Sequence, residues 1–355
     1  MARRTVVVKV GSSSLVDPQG RARSRIFSSI ARDVAALTGA GTPVVVVSSG
    51  AVALGLAGTG RQSRPGRLHW LQAASAAGQP ALQRRWELAL RRHGYEAAQV
   101  LLTSGDLHRR DGYVNARATL EALHRWGRVP VVNENDSTAT DEITFGDNDA
   151  LAAQVAVLMR ARLLVLLTDT DGLYDRDPSL PGAVPVVEVT DHALLETLDV
   201  DGRGSAWGRG GMRSKVVAAE MARTGGAAVV IASAAAPGAI AGAAAGRRLG
   251  TRFHPHPSPL SAYKLWIRYG KPVRGRMLVD AGARRAVRSQ GTSLLPVGVT
   301  GIDGNFAAGD AVELAGPEGR PFAIGISDWS ASDLRRELGR RGAGEAVHRA
   351  NLVLL

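Results

Sequence analysis

Cysteine is absent from this 355-residue chain, and its absence excludes several functional classes. Without thiols the protein has no disulfide framework, no cysteine-bound zinc finger or iron–sulfur cluster, and no cysteine nucleophile. Cysteine content alone leaves the redox compartment open. The 45% hydrophobic content still predicts a folded globular protein, and the length allows two unequal domains.

Long apolar runs are also absent. No stretch approaches the roughly 18 uncharged apolar residues that a membrane-spanning helix needs. The N-terminal MARRTVVVKVG has neither the apolar core nor the small-residue cleavage site of a secretory signal. We therefore expect a cytoplasmic protein without membrane contact.

Lysine is scarce although the chain is strongly basic. The formal net charge is +12, and only four of the 44 basic residues are lysines, namely Lys9, Lys215, Lys264 and Lys271. The excess charge favours polyanionic partners such as nucleic acid or nucleotides, and an arginine-rich genome explains it equally well. A lysine retained in such a chain indicates a place that requires a compact point charge. Lys9 and Lys215 both lie in glycine-rich motifs.

Apolar strands alternate with helices up to about residue 235. Strands that are apolar on both faces indicate a parallel sheet covered by helices on two sides, a three-layer α/β sandwich. The strands are predicted at 3–10, 43–47, 97–102, 129–133, 163–168 and 227–232. The helices are predicted at 24–40, 67–76, 81–92, 113–126, 150–160 and 212–224. Such sheets bind ligands at the carboxyl ends of their strands.

Glycine and hydroxyl side chains follow the first two predicted strands. The segment GSSS at 11–14 offers backbone N–H groups beside Lys9, which suits a phosphate. A plain tight turn with an exposed lysine is the alternative. The segment SSGA at 48–51 offers hydroxyls and a helix start to an anion, and N-capping by serine explains it equally well.

Amide and acidic side chains are concentrated in NENDSTATDEITFGDND at 133–149. Alternating Asn and Asp supply donors and acceptors for both the ammonium and the carboxylate of an amino acid. A calcium or magnesium site is the rival interpretation, although the EF-hand spacing is missing. A solvated acidic loop is the third.

The segment GRGGMRSK at 208–215 leads directly into a predicted helix. Backbone N–H groups, the helix dipole and cations converge there, as a triphosphate site requires. The P-loop, protein-kinase and Gly-x-Ser-x-Gly signatures are absent. A carboxylate acceptor is already ionised at neutral pH and needs no base. This set of residues therefore favours phosphoryl transfer to a carboxylate, with lysine and Mg²⁺ neutralising charge.

A change of character after about residue 235 predicts a second domain. An Ala- and Gly-rich helix and turn at 234–245 lead into HPHPSP at 254–259, where proline on every second residue excludes a helix. Short β-like runs then follow at 276–279, 293–299, 311–314 and 322–326. Residues 262–355 hold 14 basic and 9 acidic residues, which fits affinity for nucleic acid. We assign 1–258 to the first domain, 259–271 to a linker and 272–355 to a small β-rich domain.

Five strings, taken in order, resemble the bacterial glutamate 5-kinases of the amino acid kinase family. They are VVVKVGSSSL, VSSGAVALG, VVNENDSTATDEITFGDND, LLTDTDGLYDRDP and GRGGMRSK. The long acidic string separates this family from acetylglutamate, aspartate and carbamate kinases of the same fold. Further along, YKLWI, PVRGRMLVDAGARRAV, GTSLLPVGV and GNFAAGDAVEL resemble the PUA domain that many glutamate 5-kinases carry.

The resemblance implies the amino acid kinase fold followed by a PUA domain. It implies ATP-dependent phosphorylation of the side-chain carboxylate of L-glutamate to L-glutamyl 5-phosphate, the first step of proline biosynthesis from glutamate. ATP and Mg²⁺ are the implied cofactors. Proline is the implied feedback inhibitor, a homo-oligomer the implied assembly, and RNA a candidate partner of the PUA domain.

The resemblance also implies roles for individual residues. Lys9 would contact the transferred phosphate, Lys215 would balance charge on the ADP side, and Asp149 would orient both lysines. The implied glutamate-binding residues are Ser49, Gly50, Ala51, Asn133, Asp136 and Asn148. The implied nucleotide-binding residues are Lys9, Thr168, Asp169, Arg209, Gly210, Gly211, Met212, Arg213, Ser214 and Lys215.

Two substitutions depart from the family pattern Gly-Thr-Gly-Gly-Met-x-Thr-Lys, because Arg209 and Ser214 stand where the family has threonine. Ser214 keeps a hydroxyl and Arg209 does not, so only backbone contacts are retained at Arg209. Ala350 replaces an aspartate near the C-terminus, and we expect little effect.

Two other functions stay open: a kinase for another small acid such as acetylglutamate or aspartate, and an RNA-binding or RNA-modifying protein.

Overall fold

The computed structural model describes residues 5–59, 65–138, 148–190, 211–340 and 344–355. The chain forms two compact units, Met1–Pro259 and Leu260–Leu355, and the division falls at the end of the proline-rich HPHPSP segment. None of the described helices has the length and apolar character needed to cross a bilayer.

Within the described residues, the first unit is built on an eight-stranded sheet in the order β3-β4-β2-β1-β5-β9-β10-β8. Neighbouring strands run parallel, except that β10 is antiparallel to β9. The central strands are rich in buried valine and leucine, as both-face burial requires. The strands are β1 Val6–Val10, β2 Val44–Ser48, β3 Glu96–Leu102, β4 Arg128–Glu134, β5 Leu163–Thr168, β8 Glu188–Val189, β9 Ala228–Ser233 and β10 Thr251–Phe253, with a small β6 Leu173–Tyr174 and β7 Pro185–Val186 pair beside them.

Helices cover both faces of this sheet, which confirms the three-layer α/β sandwich. The helices are α1 Ser12–Leu15, α2 Ser24–Gly39, α3 Ala51–Ala57, α4 Leu68–Arg91, α5 Ser104–His108, α6 Arg110–Arg125, α7 Asn148–Leu158, α8 Met212–Thr224 and α9 Ala239–Ala244. On one face, Val8 packs in a core with Phe27 of α2 and Trp86 of α4. Because alternate residues of a strand face opposite sides, Lys9 of β1 points to the other face, where α7 packs on β1.

Helix α4 corrects the prediction of two separate helices at 67–76 and 81–92. A single helix runs through Pro80, although proline cannot donate the bond to the carbonyl four residues earlier. Ala76 and Pro80 both lie on the exposed side of α4, where a helix tolerates the loss of one backbone hydrogen bond more easily than in the core. Local helix-breaking rules therefore underestimated this helix.

The second unit holds a five-stranded sheet in its described residues, in the order β12-β11-β13-β14-β15. Its elements are helix α10 Ala262–Leu265, π-helix Trp266–Gly270, β11 Val273–Val279, α11 Ala281–Gln290, 3-10 helix Pro296–Gly298, β12 Val299–Gly304, β13 Ala311–Ala315, β14 Pro321–Ile326, α12 Ala331–Glu337, 3-10 helix Arg349–Asn351 and β15 Leu352–Leu354. The segment assigned to a linker is helical, and its Ile267 packs with Ala311 and Val353 in the core of this unit.

The predicted strand at 293–299 is also corrected. Leu294 makes an isolated bridge with Val347, and Pro296 begins a 3-10 helix before β12 begins at Val299. Proline has no N–H to contribute to a ladder, so the sheet excludes this segment.

Candidate active site

Four adjacent parallel strands bring polar residues to one edge of the sheet. In the order β4-β2-β1-β5, the chain leaves the sheet after Glu134, Ser48, Val10 and Thr168. The motifs that follow these strands in sequence therefore meet in space, as expected for a parallel sheet.

A buried cluster of two lysines and one aspartate lies at this edge. Lys9 Nζ is 2.5 Å from Asp149 Oδ1, and Lys215 Nζ is 3.3 Å from Asp149 Oδ2. The three residues come from β1, the start of α7 and the first turn of α8, and all are at most 7% exposed. Two ammonium groups share one carboxylate, so the cluster keeps an excess positive charge that suits an anionic ligand.

The carboxyl group of Asp149 is held ionised by its neighbours. Burial raises the pKa of Asp149, but the charges of Lys9 and Lys215 and hydrogen bonds from Lys9 and Ser214 lower it more, to about 2 from 3.8. Ser214 Oγ lies 2.9 Å from Asp149 Oδ2, so its hydroxyl donates to the carboxylate. The hydroxyl that Ser214 has in common with the threonine of the family pattern therefore binds Asp149 directly.

The start of α8 faces the same cluster. Gly211 is its N-cap, and Met212, Arg213, Ser214 and Lys215 form its first turn. The first N–H groups of a helix have no partner within it, so this end favours an anion. Arg213 is exposed and Met212 half-buried. Arg209 and Gly210 lie outside the described residues.

Asn148 connects the ends of β2 and β4. Its Nδ2 lies 3.2 Å from the Ser48 carbonyl oxygen, 2.9 Å from Ser49 Oγ and 2.8 Å from Asn133 Oδ1. Its Oδ1 is buried and has no hydrogen-bond partner in the part of the chain described. An unsatisfied buried acceptor is unfavourable in the free protein, so Asn148 has an oxygen placed to accept from a ligand N–H.

A hydrogen bond from Trp86, which no sequence motif indicated, stabilises the end of β2. Trp86 of α4 donates its indole N–H to Ser48 Oγ at 2.8 Å, and Ser48 Oγ donates to the Ser49 carbonyl at 3.0 Å. Gly50 then adopts φ 112°, a left-handed conformation that favours glycine, and α3 begins at Ala51. The candidate residues Ser49, Gly50 and Ala51 thus form one turn.

Asp136 lies just after β4 and is 6% exposed. Its Oδ2 accepts a hydrogen bond from the hydroxyl of Ser75, a residue of α4 that no sequence motif indicated. Asn133, Asp136, Asn148 and Asp149 of the acidic string are therefore at the sheet edge, while 139–147 lie outside the described residues. Within the described part, no three histidine or acidic side chains converge as a metal site would need.

A cavity of about 440 Å³ opens beside the ends of β1, β5 and β9. Thr168 and Asp169 line it together with Ser14, and Thr168 Oγ1 donates to Asp169 Oδ1 at 3.0 Å. Ser14 Oγ is buried and has no hydrogen-bond partner within the described residues. We call this space the Ser14 cavity. The Lys9 ammonium lies next to the same turn, 3.8 Å from where a Cβ of Gly11 would be.

Comparisons with known proteins identify a family for each of the two units. The family model described as the Amino acid kinase family matches residues 4–233, and that of the PUA domain matches residues 275–349. A glutamate 5-kinase of Synechococcus sp. (strain JA-2-3B'a(2-13)) is 44% identical over 99% of this chain and 98% of that protein. One of Streptomyces coelicolor is 44% identical over 99% of this chain and 96% of that protein.

A solved structure shows the fold alone. An X-ray structure of isopentenyl phosphate kinase is 19% identical, with a TM-score of 0.50, and the match covers 70% of this chain and 99% of that one.

Proposed function

Since the chain belongs to the glutamate 5-kinases of the amino acid kinase family, we propose that it phosphorylates L-glutamate with ATP. The products are ADP and L-glutamyl 5-phosphate, and the reaction is the first step of proline biosynthesis from glutamate. The observation that carries the proposal is the buried Asp149 carboxylate bound to both Lys9 and Lys215.

The chemistry follows from charge. An oxygen of the glutamate side-chain carboxylate attacks the γ-phosphorus of ATP, and the bond from that phosphorus to the oxygen bridging to the β-phosphate breaks. The acceptor is ionised at neutral pH, so no general base is needed. The protein must hold two anions in line and neutralise the charge of the transferred group. Lys9 contacts that group, and Lys215 offsets charge on the departing ADP. Asp149 orients both ammonium groups toward the phosphates.

The nucleotide side is supported by the Ser14 cavity and the first turn of α8. The Ser14 hydroxyl, which has no hydrogen-bond partner among the described residues, and the half-buried Gly211 N-cap both offer donors to phosphate oxygens. Thr168 and Asp169 line the cavity and face the nucleotide. Arg209 and Gly210 lie outside the described residues, and their proposed role is to contact the phosphates through their backbone.

Mg²⁺ fits this site as an ion delivered with the nucleotide. Mg²⁺ in such sites is usually held by substrate phosphates, water and one or two carboxylates, not by a protein cage. This agrees with the described residues, which offer no group of three acidic or histidine ligands but do place Asp169 at the cavity. When bound, the ion neutralises phosphate charge during transfer.

The amino acid side is supported by Asn148 and Asp136. Asn148 Oδ1, for which the described part of the chain offers no donor, and the carboxylate of Asp136 accept hydrogen bonds from the α-ammonium group of glutamate. Ser49, Gly50, Ala51 and Asn133 form the surrounding wall and donate to its α-carboxylate through backbone and side-chain groups.

The test is a hydroxamate assay. An acyl phosphate reacts with hydroxylamine, so purified protein is incubated with ATP, Mg²⁺, hydroxylamine and glutamate, acetylglutamate, aspartate or no acceptor. ADP release is followed in parallel. Signal with glutamate alone supports the reaction and the substrate together. A preference for acetylglutamate would contradict the binding of a free amine by Asp136 and Asn148.

The cellular setting remains a set of predictions. A cytoplasmic location fits the supply of ATP. Inhibition by L-proline is expected and is tested by adding proline to the same assay.

A homo-oligomer is supported by β3, which is an edge strand among the described residues, and by exposed apolar side chains on neighbouring elements, namely Trp70, Leu88, Leu101, Val114 and Trp126. Light scattering after gel filtration measures the assembly directly.

RNA binding by the PUA domain is a second candidate function. It is supported by a groove of about 740 Å³ in the second unit, which Ser293, His348 and Arg349 line together with the acidic Asp280 and Glu345. Affinity carried by phosphate contacts should fall by orders of magnitude between roughly 50 and 200 mM salt. Fluorescence anisotropy with a labelled RNA measures this, and weak binding that salt does not change would exclude the function.

A further inference from the structure

Ser75 is a buried serine in the middle of α4, only 1% exposed. A serine inside a helix commonly donates to the carbonyl four residues earlier. Ser75 instead donates to a carboxylate oxygen of Asp136, which follows β4 and is far away in sequence. A hydrogen bond to a buried charged group is among the stronger kinds, so this contact influences the carboxylate.

The position of Ser75 is fixed by tight packing between α3 and α4. A Cβ on Gly55 of α3 would lie 1.8 Å from the Ala74 carbonyl oxygen, and one on Gly78 of α4 would lie 1.9 Å from the Ala51 carbonyl oxygen. The two helices therefore approach backbone to backbone on either side of Ser75. Ala51 begins α3 at the candidate glutamate site, so the packing that positions Ser75 also positions the start of α3.

We infer that Ser75 is a positioning residue for glutamate: it holds the Asp136 carboxylate in the orientation that receives the α-ammonium group. The bond to Oδ2 fixes the plane of the carboxylate and therefore the direction of Oδ1. Ser75 itself does not touch the substrate. The inference rests on the proposed function, because it assigns Asp136 to the glutamate ammonium.

The first experiment compares Ser75→Ala with the wild type as full-length proteins. Loss of the bond should raise the KM for glutamate by about tenfold, while kcat and the KM for ATP change by less than about twofold. Glutarate, which is glutamate without the amine, serves as a competitive inhibitor. Its inhibition constant should be unchanged, because glutarate has no ammonium group for Asp136 to bind.

Two further variants separate positioning from folding. Ser75→Cys keeps nearly the same volume but has only a weak donor, so it should shift the glutamate KM in the same direction without a cavity. Ser327→Ala removes an equally buried serine hydroxyl in the second unit, which bonds the Trp329 carbonyl. It should lower the melting temperature but leave the glutamate KM unchanged.

The outcomes are distinct. A wild type without glutamate-dependent hydroxamate overturns the proposed function, and the role of Ser75 with it. An active wild type with unchanged glutamate KM in Ser75→Ala and Ser75→Cys overturns the role of Ser75 alone. Equal increases in the glutamate KM and the glutarate inhibition constant would also overturn it, because they indicate general displacement of the site. In an Asp136→Asn background, Ser75→Ala should add no further loss.

Discussion

Lys9 and Lys215 contact different oxygens of the same carboxylate, Oδ1 and Oδ2 of Asp149. Neither lysine can shift without changing the environment of the other, because the carboxylate between them is rigid. The relationship explains why these two positions keep lysine in a chain in which 40 of the 44 basic residues are arginine. A planar guanidinium on each side would require more room around one aspartate.

Replacing either lysine should strongly reduce turnover without unfolding the protein. Lys9→Ala and Lys215→Ala each remove one oriented charge but leave the other lysine to compensate Asp149. We expect a loss of about 3 kcal/mol of transition-state stabilisation or more, roughly a hundredfold in kcat/KM. Steady-state kinetics and thermal unfolding measure the two effects. Lys271→Ala, in the second unit, is the matched control, and full activity in a Lys9 or Lys215 variant would refute their assigned roles.

Asp149 should make the stability of the protein depend on acid pH. The folded pKa of about 2 lies below the ordinary 3.8, so ionised Asp149 stabilises the fold above about pH 4. This contribution, about 2 kcal/mol, is lost as pH falls from about 4 toward 2. The difference in unfolding free energy between wild type and Asp149→Asn should therefore shrink over that range. Urea titrations at several pH values test it, and a difference independent of pH would argue against the ion pairs.

A methyl group added where α3 and α4 pack closely should destabilise the protein. Gly78→Ala places a Cβ against the Ala51 carbonyl and must separate the helices, so we expect a destabilisation of at least about 2 kcal/mol. The glutamate KM should rise as well, because Ala51 and Ser75 are displaced. Gly66→Ala is the control, since nothing lies within 4 Å of a Cβ there. Equal stability of the two variants in urea unfolding would contradict the packing.

Ser14→Ala should weaken ATP binding without destabilising the free protein. The Ser14 hydroxyl is buried and unpartnered within the described residues, so removing it relieves an unfavourable group. We expect about a tenfold increase in the Kd for ATP and an unchanged or slightly higher melting temperature. Calorimetry and thermal unfolding check the two changes. Ser29→Ala on α2 should alter neither, and a lowered melting temperature for Ser14→Ala would mean that its hydroxyl has a structural partner.

The sheet and the charged site residues could be predicted from sequence for one physical reason. Parallel strands are apolar along their length, and polar residues that follow them must meet at one edge. Lys9 after a run of valines, and the acidic string after β4, carry this signal directly. The contact of Asp149 with Lys9 and Lys215 was implied by the resemblance to the glutamate 5-kinases, because Asp149 and Lys215 lie on helices and not directly after a strand of the sheet.

Other features had no local signal. Ser75 is one small residue among alanines in α4, and only the tertiary packing places it beside Asp136. Local rules for proline failed in two places. Helix α4 continues through Pro80, which lies on its exposed side, although two helices were predicted. The sheet excludes the segment around Pro296, although a strand was predicted there. Whether Ser14 and Trp86 reach the site depends on which side of the turn at 11–14 and of helix α4 faces the edge of the sheet. The roles of Arg209 and Gly210 stay predictions.

The lysine–aspartate cluster joins residues that are made at very different times during synthesis. Lys9 belongs to the first strand, while Asp149 and Lys215 lie on helices that are translated much later. Contacts between distant parts of a chain form only after long loops have closed. A nascent chain thus leaves Lys9 without its carboxylate until α7 has been made and has packed against β1. The cluster is therefore completed late, because a chain that ends before residue 215 lacks the second ammonium group of the cluster.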